Sequence, residues 1–582
     1  MKRFNPAIWA SLVIFIFGVA SCAYSKSTAE LSSMIREYAA DQANVATYYD
    51  LPGAPVRLEK LGILYSNWLS RLDTLNFEGL PQSGKVDYLL MKNDLESSLG
   101  TLAFEAKRWA EIDPFVSFRS LIYPLEQARW QGTPVQGQAA ASQVTELTRT
   151  LKQLKDRIEQ GSKTNNSVMI TTNPPPLVVS PALALQASAS TEKLRGTLKK
   201  WFTFYDGYQP NFSWWVKTPF EEADKQLELY AKFLKEDIAG LKGKADDPLI
   251  GQPIGAEELA NAIRHEILPY DADTLLQIGA RERAWCEVEL KRSARKMGFG
   301  DDWKAALNKI KTNYVEPGQQ DELIRQTAKQ AILFVKQHHL VTLPPLCEET
   351  WGLSMMSPDT MKTIPYAAYN NQNMLVAYAR NDMNQDDKLM TMRGNNRFFI
   401  HTITPHELIP GHHLQQFQAL RHNQVRAYFA TPFYVEGWSL YWERRLWDLG
   451  WARSPEEKIG MLFWRLNRAA RIEVSLKFHL GKMTPAQMVD FLVDQVGHER
   501  LGATSEVRRF ISDGFSPLYQ AAYMLGGLQI EALRKELVDG KKMSEQEFND
   551  AVLEQNAIPI EWIRAEFLNL PLTRETRSRW TF

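Results

Sequence analysis

The chain contains 582 residues, enough for about four domains of ordinary size. Hydrophobic residues make up 44% of it and charged residues 23%, a globular balance that excludes intrinsic disorder. Lys and Arg together number 68, as do Asp and Glu, so the basic excess typical of a general nucleic-acid binder is missing. Three Cys exclude a disulfide framework and a four-Cys zinc site. Any metal would therefore be held by His and carboxylate side chains.

The N-terminus has the features of an export signal. Two basic residues precede an apolar run over residues 7–19, which is too short for a bilayer core that needs about 20 helical residues. The run ends in Val-Ala-Ser-Cys, which resembles the lipobox of bacterial lipoproteins. We expect residues 1–21 to be a lipoprotein signal peptide and Cys22 to be acylated, so that lipid is the only membrane attachment. Ala23 favours the outer membrane by resemblance to the lipoprotein sorting rule. An ordinary signal peptide with an incidental Cys is the alternative.

Most of the remaining chain predicts helix. Residues 272–296 and 320–337 carry long amphipathic patterns. Thr218-Pro219-Phe220-Glu221 has the spacing of a capping box, which predicts that another helix begins there. Alternating apolar runs within residues 341–399 predict a few short strands. The expected class is mainly α with a small sheet next to the functional segment.

A polar break at residues 246–255 suggests a soft boundary between two regions. We expect an N-terminal helical region over residues 22–250 and a catalytic region over residues 251–582. The C-terminal region carries the motifs described next.

Three of the ten His residues fall within eight positions, in His406-Glu-Leu-Ile-Pro-Gly-His-His413. The segment resembles HExxH, in which two His one turn apart bind zinc and the Glu is the general base. It departs from HExxH because Pro410 takes the place of the second His. On an ideal helix His406 and His412 would point about 120° apart, and His413 would lie ~10.5 Å along the axis from His406. Neither pair could then chelate one ion.

Pro410 and Gly411 are expected to disturb the regular helix between the two His residues. Proline lacks an N–H and clashes with the preceding turn, while glycine tolerates unusual backbone dihedrals. A local bulge would return His412 to a one-turn relation with His406. We therefore expect these two His as metal ligands and Glu407 as the general base. The alternative is that Glu407 only caps the helix and the His residues make buried hydrogen bonds.

Two further patterns concern helix ends. Thr404-Pro405-His406-Glu407 has capping-box spacing, so a helix is expected to begin just before the first His. His265-Glu266-Ile267-Leu268-Pro269 copies the start of the metal motif, but no His follows it. We interpret that second segment as an ordinary helix end.

A zinc site of this type needs a third protein ligand. Glu436 lies 24 residues after His412, in Tyr-Val-Glu-Gly-Trp-Ser-Leu-Tyr. Peptidases of the angiotensin-converting-enzyme and neurolysin type take their third ligand, a Glu, from a second helix about that far on. By that resemblance Glu436 is the third ligand. Glu443, two turns later, is a rival ligand, an outer-shell group, or a solvated charge paired with Arg444 or Arg445.

Residues 406–415, 436–441 and a Tyr-x-x-Gly segment within residues 516–526 together resemble the bacterial family called domain of unknown function 885. The match runs from about residue 50 to the C-terminus, with specific motifs only in the C-terminal half. Members are often predicted lipoproteins, and the family resembles helical zinc peptidases such as carboxypeptidase Taq. The resemblance implies a large helical, clefted zinc-peptidase fold with a small sheet beside the active-site helix. It also implies Zn²⁺ as cofactor and a peptide substrate.

The resemblance implies roles for two tyrosines near the C-terminus. Related peptidases place a Tyr or His opposite the metal to stabilise the oxyanion of the tetrahedral intermediate. Tyr523 is the first candidate for that role and Tyr519 the second, with helix packing as the alternative for each. Arg509 is a candidate for binding a substrate carboxylate by two hydrogen bonds. The simpler alternative is that Arg509 forms a salt bridge at the surface.

Two His residues are expected near the site without binding the metal. His413 orients a neighbour from the outer shell or packs beside the site. His479 ends a run that departs from the family pattern, since Ser475-Leu476-Lys477 replaces the usual acid and small residues. If that run lines the cleft, the substrate pocket differs from that of relatives.

The expected reaction is zinc-dependent hydrolysis of peptide bonds in short peptides, at the cell envelope. Two alternatives remain open at this stage: a non-catalytic metal-binding lipoprotein, and a zinc hydrolase of a non-peptide amide such as a cell-wall component. Side-chain preference, exo or endo cleavage, oligomeric state and the pairing of Cys286 with Cys347 do not follow from the sequence.

Overall fold

The computed structural model describes residues 29–51, 53–163, 174–244 and 247–582. The predicted signal peptide and Cys22 lie outside the described residues. The described chain is mainly helical and includes a three-stranded sheet, as the sequence predicts. Within these ranges, no helix combines the length and the apolar character that a bilayer crossing requires.

The described chain forms two compact units. One consists of residues 68–97 and 253–582 together with the described residues up to 39, and the other of residues 40–67 and 98–252. The junction at 252/253 lies close to the predicted boundary at 250/251. The predicted N-terminal region is nevertheless divided, because residues 68–97 belong to the unit that carries the motifs.

A buried ion-pair network explains why residues 68–97 pack with the C-terminal residues. The guanidinium of Arg426 donates to Asp87 at 2.7 Å and to Glu566 at 2.7 Å. Arg426 is only 3% exposed, and these carboxylates compensate its buried charge. Sequence patterning alone gives no sign of this long-range pairing.

The helices follow in chain order. Those of the first half are α1 (29–48), α2 (Pro55–Asp73), α3 (Gln82–Val116), α4 (Arg119–Trp130), α5 (Gly137–Lys163), α6 (Pro181–Tyr205) and α7 (Pro210–Lys232). The next are α8 (Gly255–His265), α9 (Ala272–Lys296), α10 (Trp303–Lys311), α11 (Gln320–Gln337), α12 (Pro345–Glu349), α13 (Pro358–Met361) and α14 (Gln385–Gly394). The remainder are α15 (Arg397–Glu407), α16 (His412–Ala419), α17 (Pro432–Asp448), α18 (Pro455–His479), α19 (Pro485–Phe491), α20 (Arg500–Phe510), α21 (Tyr519–Arg534), α22 (Glu545–Glu554) and α23 (Ile560–Phe567).

Three helix predictions have clear outcomes. Helices α9 and α11 have the predicted bounds. The predicted start at Thr218 is wrong, because α7 begins at Pro210 and Pro219 lies inside it. Phe212 and Val216 are buried upstream of Thr218, so tertiary packing extends the apolar face over two further turns.

The small sheet contains β1 (Gly352–Met355), β2 (Ala367–Tyr369) and β3 (Asn373–Val376). The central strand β3 runs parallel to β1 and antiparallel to β2, so β2 is an edge strand. Ala377 donates its N–H to the Tyr366 carbonyl at 2.8 Å, so these two residues form a hydrogen-bonded pair of the antiparallel ladder. Hydrogen-bonded and non-hydrogen-bonded pairs alternate along such a ladder. The backbone groups of Ala367 and Tyr369 therefore point away from β3.

Helices α17 and α21 pack closely because two glycines face each other. A Cβ atom on Gly437 would lie 2.6 Å from the carbonyl carbon of Gly526, and one on Gly526 would lie 1.9 Å from the Phe433 carbonyl oxygen. No larger residue fits at either position without moving the helices apart. This contact brings the first turns of α21 against the part of α17 that carries Glu436.

Both remaining cysteines, Cys286 and Cys347, are buried and form no disulfide. Burial raises the pKa of each thiol to about 12, so neither is a reactive thiolate at neutral pH.

Candidate metal centre

Helix α15 carries the first two residues of the metal motif in its last turn. Its N-cap is Asn396, whose side chain accepts hydrogen bonds from the backbone N–H groups of Phe398 at 3.0 Å and Phe399 at 3.1 Å. The predicted helix start at Thr404 is wrong, since residues 404–407 end this helix. Buried apolar residues upstream, including Phe399 and Ile403, extend the packed face beyond what the local capping pattern indicates.

The chain leaves the helix between Leu408 and Gly411, and the Ile409–Pro410 bond is cis. The expected bulge within one continuous helix is therefore replaced by a break, after which α16 begins at His412. A Cβ atom on Gly411 would lie 1.9 Å from the His406 carbonyl oxygen, so only glycine permits this return of the chain.

Helix α17 supports the break by hydrogen bonding to the carbonyl groups beside it. Trp438 Nε1 donates to the Pro410 carbonyl and Ser439 Oγ donates to the His406 carbonyl, each at 2.9 Å. The break brings the side chains of His406 and His412 close together. The rings of His406 and His412 lie 4.9 Å apart, measured between centroids, and are perpendicular.

The three predicted metal ligands converge. Each of His406, His412 and Glu436 offers one ligand atom, and these atoms all lie within 4.8 Å of one another. Glu436 Oε2 is 3.3 Å from His412 Nε2 and 3.8 Å from His406 Nε2. All three residues are buried, with exposed fractions of 2 to 6%.

These residues fit a zinc ion. Two imidazoles and one carboxylate are a ligand set found in catalytic zinc sites. Glu436 Oε2 is buried and has no hydrogen-bond donor among the described residues. Tyr519 donates its hydroxyl to the other oxygen, Oε1, and so leaves Oε2 directed at the two imidazoles. A divalent cation would satisfy that oxygen.

The cluster is strongly coupled electrostatically. Burial alone would raise the pKa of Glu436, but the neighbouring His412 and His406 hold that pKa well below its usual range. Burial alone would lower the pKa of His412, but Glu436 and, more weakly, Glu407 raise it. The charged state of Glu436 is thus favoured even in this buried position.

Glu443 lies behind the first ligand and outside the ligand cluster. Its Oε1 is 2.7 Å from His406 Nδ1, and Arg468 donates to the same oxygen at 3.3 Å. Glu443 is buried and does not pair with Arg444 or Arg445, as a solvated charge would. Arg444 pairs with Glu282 and Glu531, and Arg445 pairs with Glu545. A carboxylate that fixes the second nitrogen of a ligand His is a common feature of zinc sites.

His413 has both ring nitrogens engaged elsewhere. Its Nδ1 is 2.9 Å from the Tyr369 hydroxyl and its Nε2 is 2.9 Å from the Cys347 carbonyl. The carbonyl can only accept, so Nε2 carries the proton and Nδ1 accepts from Tyr369. His413 thereby holds Tyr369, whose ring stacks on His412 with 6.4 Å between ring centroids.

A cavity of about 250 Å³ opens onto the ligand cluster. Glu407 lies in the wall of this cavity, together with His406, His412 and Glu436. The edge strand β2 forms another part of the wall. Other residues of the wall include Tyr519, Tyr523, Arg468, Arg471, Glu506 and Arg509.

The two candidate tyrosines have different positions. Tyr519 is bound to Glu436, as described above. Tyr523 stacks on His406 with 6.2 Å between ring centroids, and its own pKa is raised chiefly by burial. Its hydroxyl is therefore a neutral donor in the cavity wall, which suits the oxyanion role predicted for it.

Three buried arginines lie in the same wall, and only Arg509 was singled out from the sequence. The sequence gives no comparable signal for Arg468 and Arg471, which lie three residues apart on α18. Burial alone would raise the pKa of Glu506, but Arg471 and Arg509 lower it to about 2. Glu506 is therefore ionised at neutral pH.

The family model described as "Bacterial protein of unknown function (DUF885)" matches residues 57–567. The chain belongs to this family. No curated protein matches the chain.

Two solved structures resemble this DUF885 chain. A candidate lipoprotein of unknown function from Shewanella oneidensis is 18% identical, with a TM-score of 0.64, over 92% of this chain and 99% of the other. A candidate lipoprotein from Colwellia psychrerythraea is 16% identical, with a TM-score of 0.55, over 93% and 99%. At these identities the likeness shows a shared fold.

Residues 475–477 do not line the cavity. Ser475 Oγ donates to the Pro517 carbonyl at 3.3 Å, and Leu476 belongs to a buried apolar cluster. His479 is the last residue of α18 and is not part of the cavity wall, so the expected role near the site is not observed. Burial lowers the pKa of His479 to about 4.

Proposed function

We propose that this DUF885 protein is a zinc-dependent peptidase that hydrolyses peptide bonds in short peptides. The observation that carries the proposal is the convergence of His406, His412 and Glu436 within 4.8 Å, beside Glu407 in one cavity. A buried site with two imidazoles, one carboxylate and a second, adjacent carboxylate has the composition of a hydrolytic zinc site.

Each residue of the site has a separate role in the proposed reaction. His406, His412 and Glu436 would hold zinc, which when bound activates a water molecule and polarises the scissile carbonyl. Glu407 accepts the proton of the attacking water and passes it to the leaving amine. Tyr523 donates its hydroxyl hydrogen to the oxygen on which negative charge develops.

The edge strand favours a peptide over a non-peptide amide. Ala367 and Tyr369 of β2 direct backbone N–H and C=O groups away from β3, and both residues line the cavity. An extended peptide can add to such an edge by main-chain hydrogen bonds. A cavity of about 250 Å³ suits a short segment of peptide.

We further propose a lipid-anchored location at the cell envelope. The lipobox-like sequence ending at Cys22 and the lipoprotein description of both structural neighbours support it. The residue after Cys22 favours the outer membrane. Metabolic labelling with a radioactive fatty acid tests the anchor: the wild type should be labelled and Cys22→Ser should not. Equal labelling of the two would contradict it.

Glu407→Gln tests the reaction. Mass spectrometry of a peptide mixture should show cleavage by the wild type, loss of cleavage with a chelator and recovery with zinc. The variant should retain stoichiometric zinc but lose about 100- to 10,000-fold in rate, because the amide cannot take the proton from water. Glu554→Gln, an exposed residue of α22, is the matched control. Near-normal cleavage by Glu407→Gln would contradict the mechanism.

A further inference from the structure

A buried cluster of three charged residues lies in the cavity wall and has no part in the proposed reaction. We name Arg471, Glu506 and Arg509 the arginine cluster; their exposed fractions are 2, 1 and 7%. Arg471 Nη2 donates to Glu506 Oε2, and Arg509 Nη2 lies 3.0 Å from Glu506 Oε1. One carboxylate is thus shared by two guanidinium groups.

The charges of the arginine cluster do not balance. Two guanidinium groups and one carboxylate leave one positive charge, and the nearby Arg468 is already paired with Glu443. The Nε and Nη1 atoms of Arg471 and the Nε atom of Arg509 have no hydrogen-bond acceptor among the described residues. A buried, uncompensated cation is costly, so this arrangement calls for an anionic partner.

The cluster lies one aromatic ring away from the metal ligands. The ring centroid of Tyr523 is 4.6 Å from the guanidinium carbon of Arg471 and 6.2 Å from the centroid of His406. An extended chain covers about 3.3–3.6 Å per residue. An anionic group on the arginine cluster would therefore be no more than about three residues from an amide bond placed at the metal ligands.

Resting on the proposed peptidase function, we propose that the arginine cluster binds the C-terminal carboxylate of the substrate. Arginine presents paired N–H donors whose geometry matches a carboxylate. The edge strand holds the backbone, the arginine cluster holds the chain end, and cleavage then releases about one to three C-terminal residues. The protein is, on this proposal, a carboxypeptidase-type exopeptidase.

Binding to a protein that does not turn over tests the proposal directly. Calorimetry with zinc-loaded Glu407→Gln compares N-acetyl-trialanine as the free acid with the same peptide as its C-terminal amide. The acid should bind about 10- to 100-fold more tightly, as expected for charge-assisted hydrogen bonds. Adding Arg509→Gln should abolish the difference, Arg509→Lys should retain part of it, and Arg508→Gln should leave it intact. Arg508 is the matched control because it contacts the Lys362 carbonyl at the surface.

Each outcome bears on one proposal at a time. Equal binding of acid and amide, or a difference that survives Arg509→Gln, overturns the carboxylate subsite even if the wild type cleaves peptides. A difference that depends on Arg509, without any cleavage by the wild type, supports the subsite and contradicts the peptidase. If acid and amide bind equally and chloride raises the Tm of the wild type but not of Arg509→Gln, the cluster holds a free inorganic anion, and the proposal is overturned.

Discussion

Glu443 Oε1 lies 2.7 Å from His406 Nδ1, whereas Glu436 faces Nε2 of the same ring. The two nitrogens of this imidazole are therefore matched to two different carboxylates. Burial alone would raise the pKa of Glu443, but Arg468 and His406 lower it, so Glu443 is ionised. A carboxylate at this distance favours a proton on Nδ1, and Nε2 then presents its lone pair to the ligand cluster.

Glu443→Gln should weaken zinc binding by about 10- to 100-fold, because a neutral amide fixes the ring of His406 less firmly. Competition with a chromogenic chelator measures the affinity. Asp448→Asn, at the exposed end of the same helix, should leave the affinity unchanged. An unaltered zinc affinity in Glu443→Gln would show that the carboxylate has no supporting role.

His412→Ala and His413→Ala should have different effects on metal content. Removing His412 takes away one of three ligands, so we expect loss of stoichiometric zinc. Removing His413 frees the Tyr369 hydroxyl but leaves all three ligands, so zinc should remain and activity should fall modestly. Elemental analysis of the purified variants gives the answer, and the opposite result would make His413 the ligand.

The sequence predicts that His406, His412 and Glu436 lie close together, and the structure brings them within 4.8 Å. That prediction was possible because few residue types bind zinc and because the spacing of the three residues resembles that of known zinc sites. The path of the chain between His406 and His412 was not predictable. It depends on hydrogen bonds from Trp438 and Ser439, which lie on another helix. Local patterning predicted a bulge, and a break with tertiary support formed instead.

Arg468 and Arg471 show a second limit of sequence reasoning. Arginines three residues apart on a helix usually face solvent, and only the tertiary partners Glu443 and Glu506 account for their burial. Helices α9 and α11 were easier to predict than these buried arginines. Their apolar residues recur at helical spacing over many positions, and this pattern indicates the buried face of a helix.

Tyr519→Phe and Tyr523→Phe should separate metal binding from catalysis. Loss of the Tyr519 hydroxyl releases Glu436 Oε1, so we expect weaker zinc affinity, with activity restored by excess zinc. Loss of the Tyr523 hydroxyl should leave zinc affinity intact and lower kcat by about 100-fold or more, as for removal of an oxyanion donor. Zinc titrations combined with kcat measurements distinguish the two. If excess zinc rescued Tyr523→Phe instead, the two assignments would have to be exchanged.

Glu266, in the segment that imitates the metal motif, follows the end of α8, as predicted for an ordinary helix end. Its side chain accepts a hydrogen bond from Thr431, the residue that caps α17. Burial raises the pKa of Glu266 to about 7, although the Thr431 hydroxyl partly opposes the shift. An unfolded Glu has a pKa of about 4.3. As pH rises from about 4.3 to 7, the unfolded chain therefore loses this proton first, and the folded protein becomes less stable.

Glu266→Gln removes that ionisation and keeps an oxygen for the Thr431 hydroxyl. At pH 8 the variant should exceed the wild type in free energy of unfolding by about 1–3 kcal/mol, and the advantage should shrink by that amount as the pH falls toward 4. Urea unfolding of both proteins across this range measures the difference, with Glu349→Gln, an exposed residue of α12, as control. A difference between wild type and Glu266→Gln that does not change with pH would mean that Glu266 ionises as readily in the folded protein as in the unfolded chain.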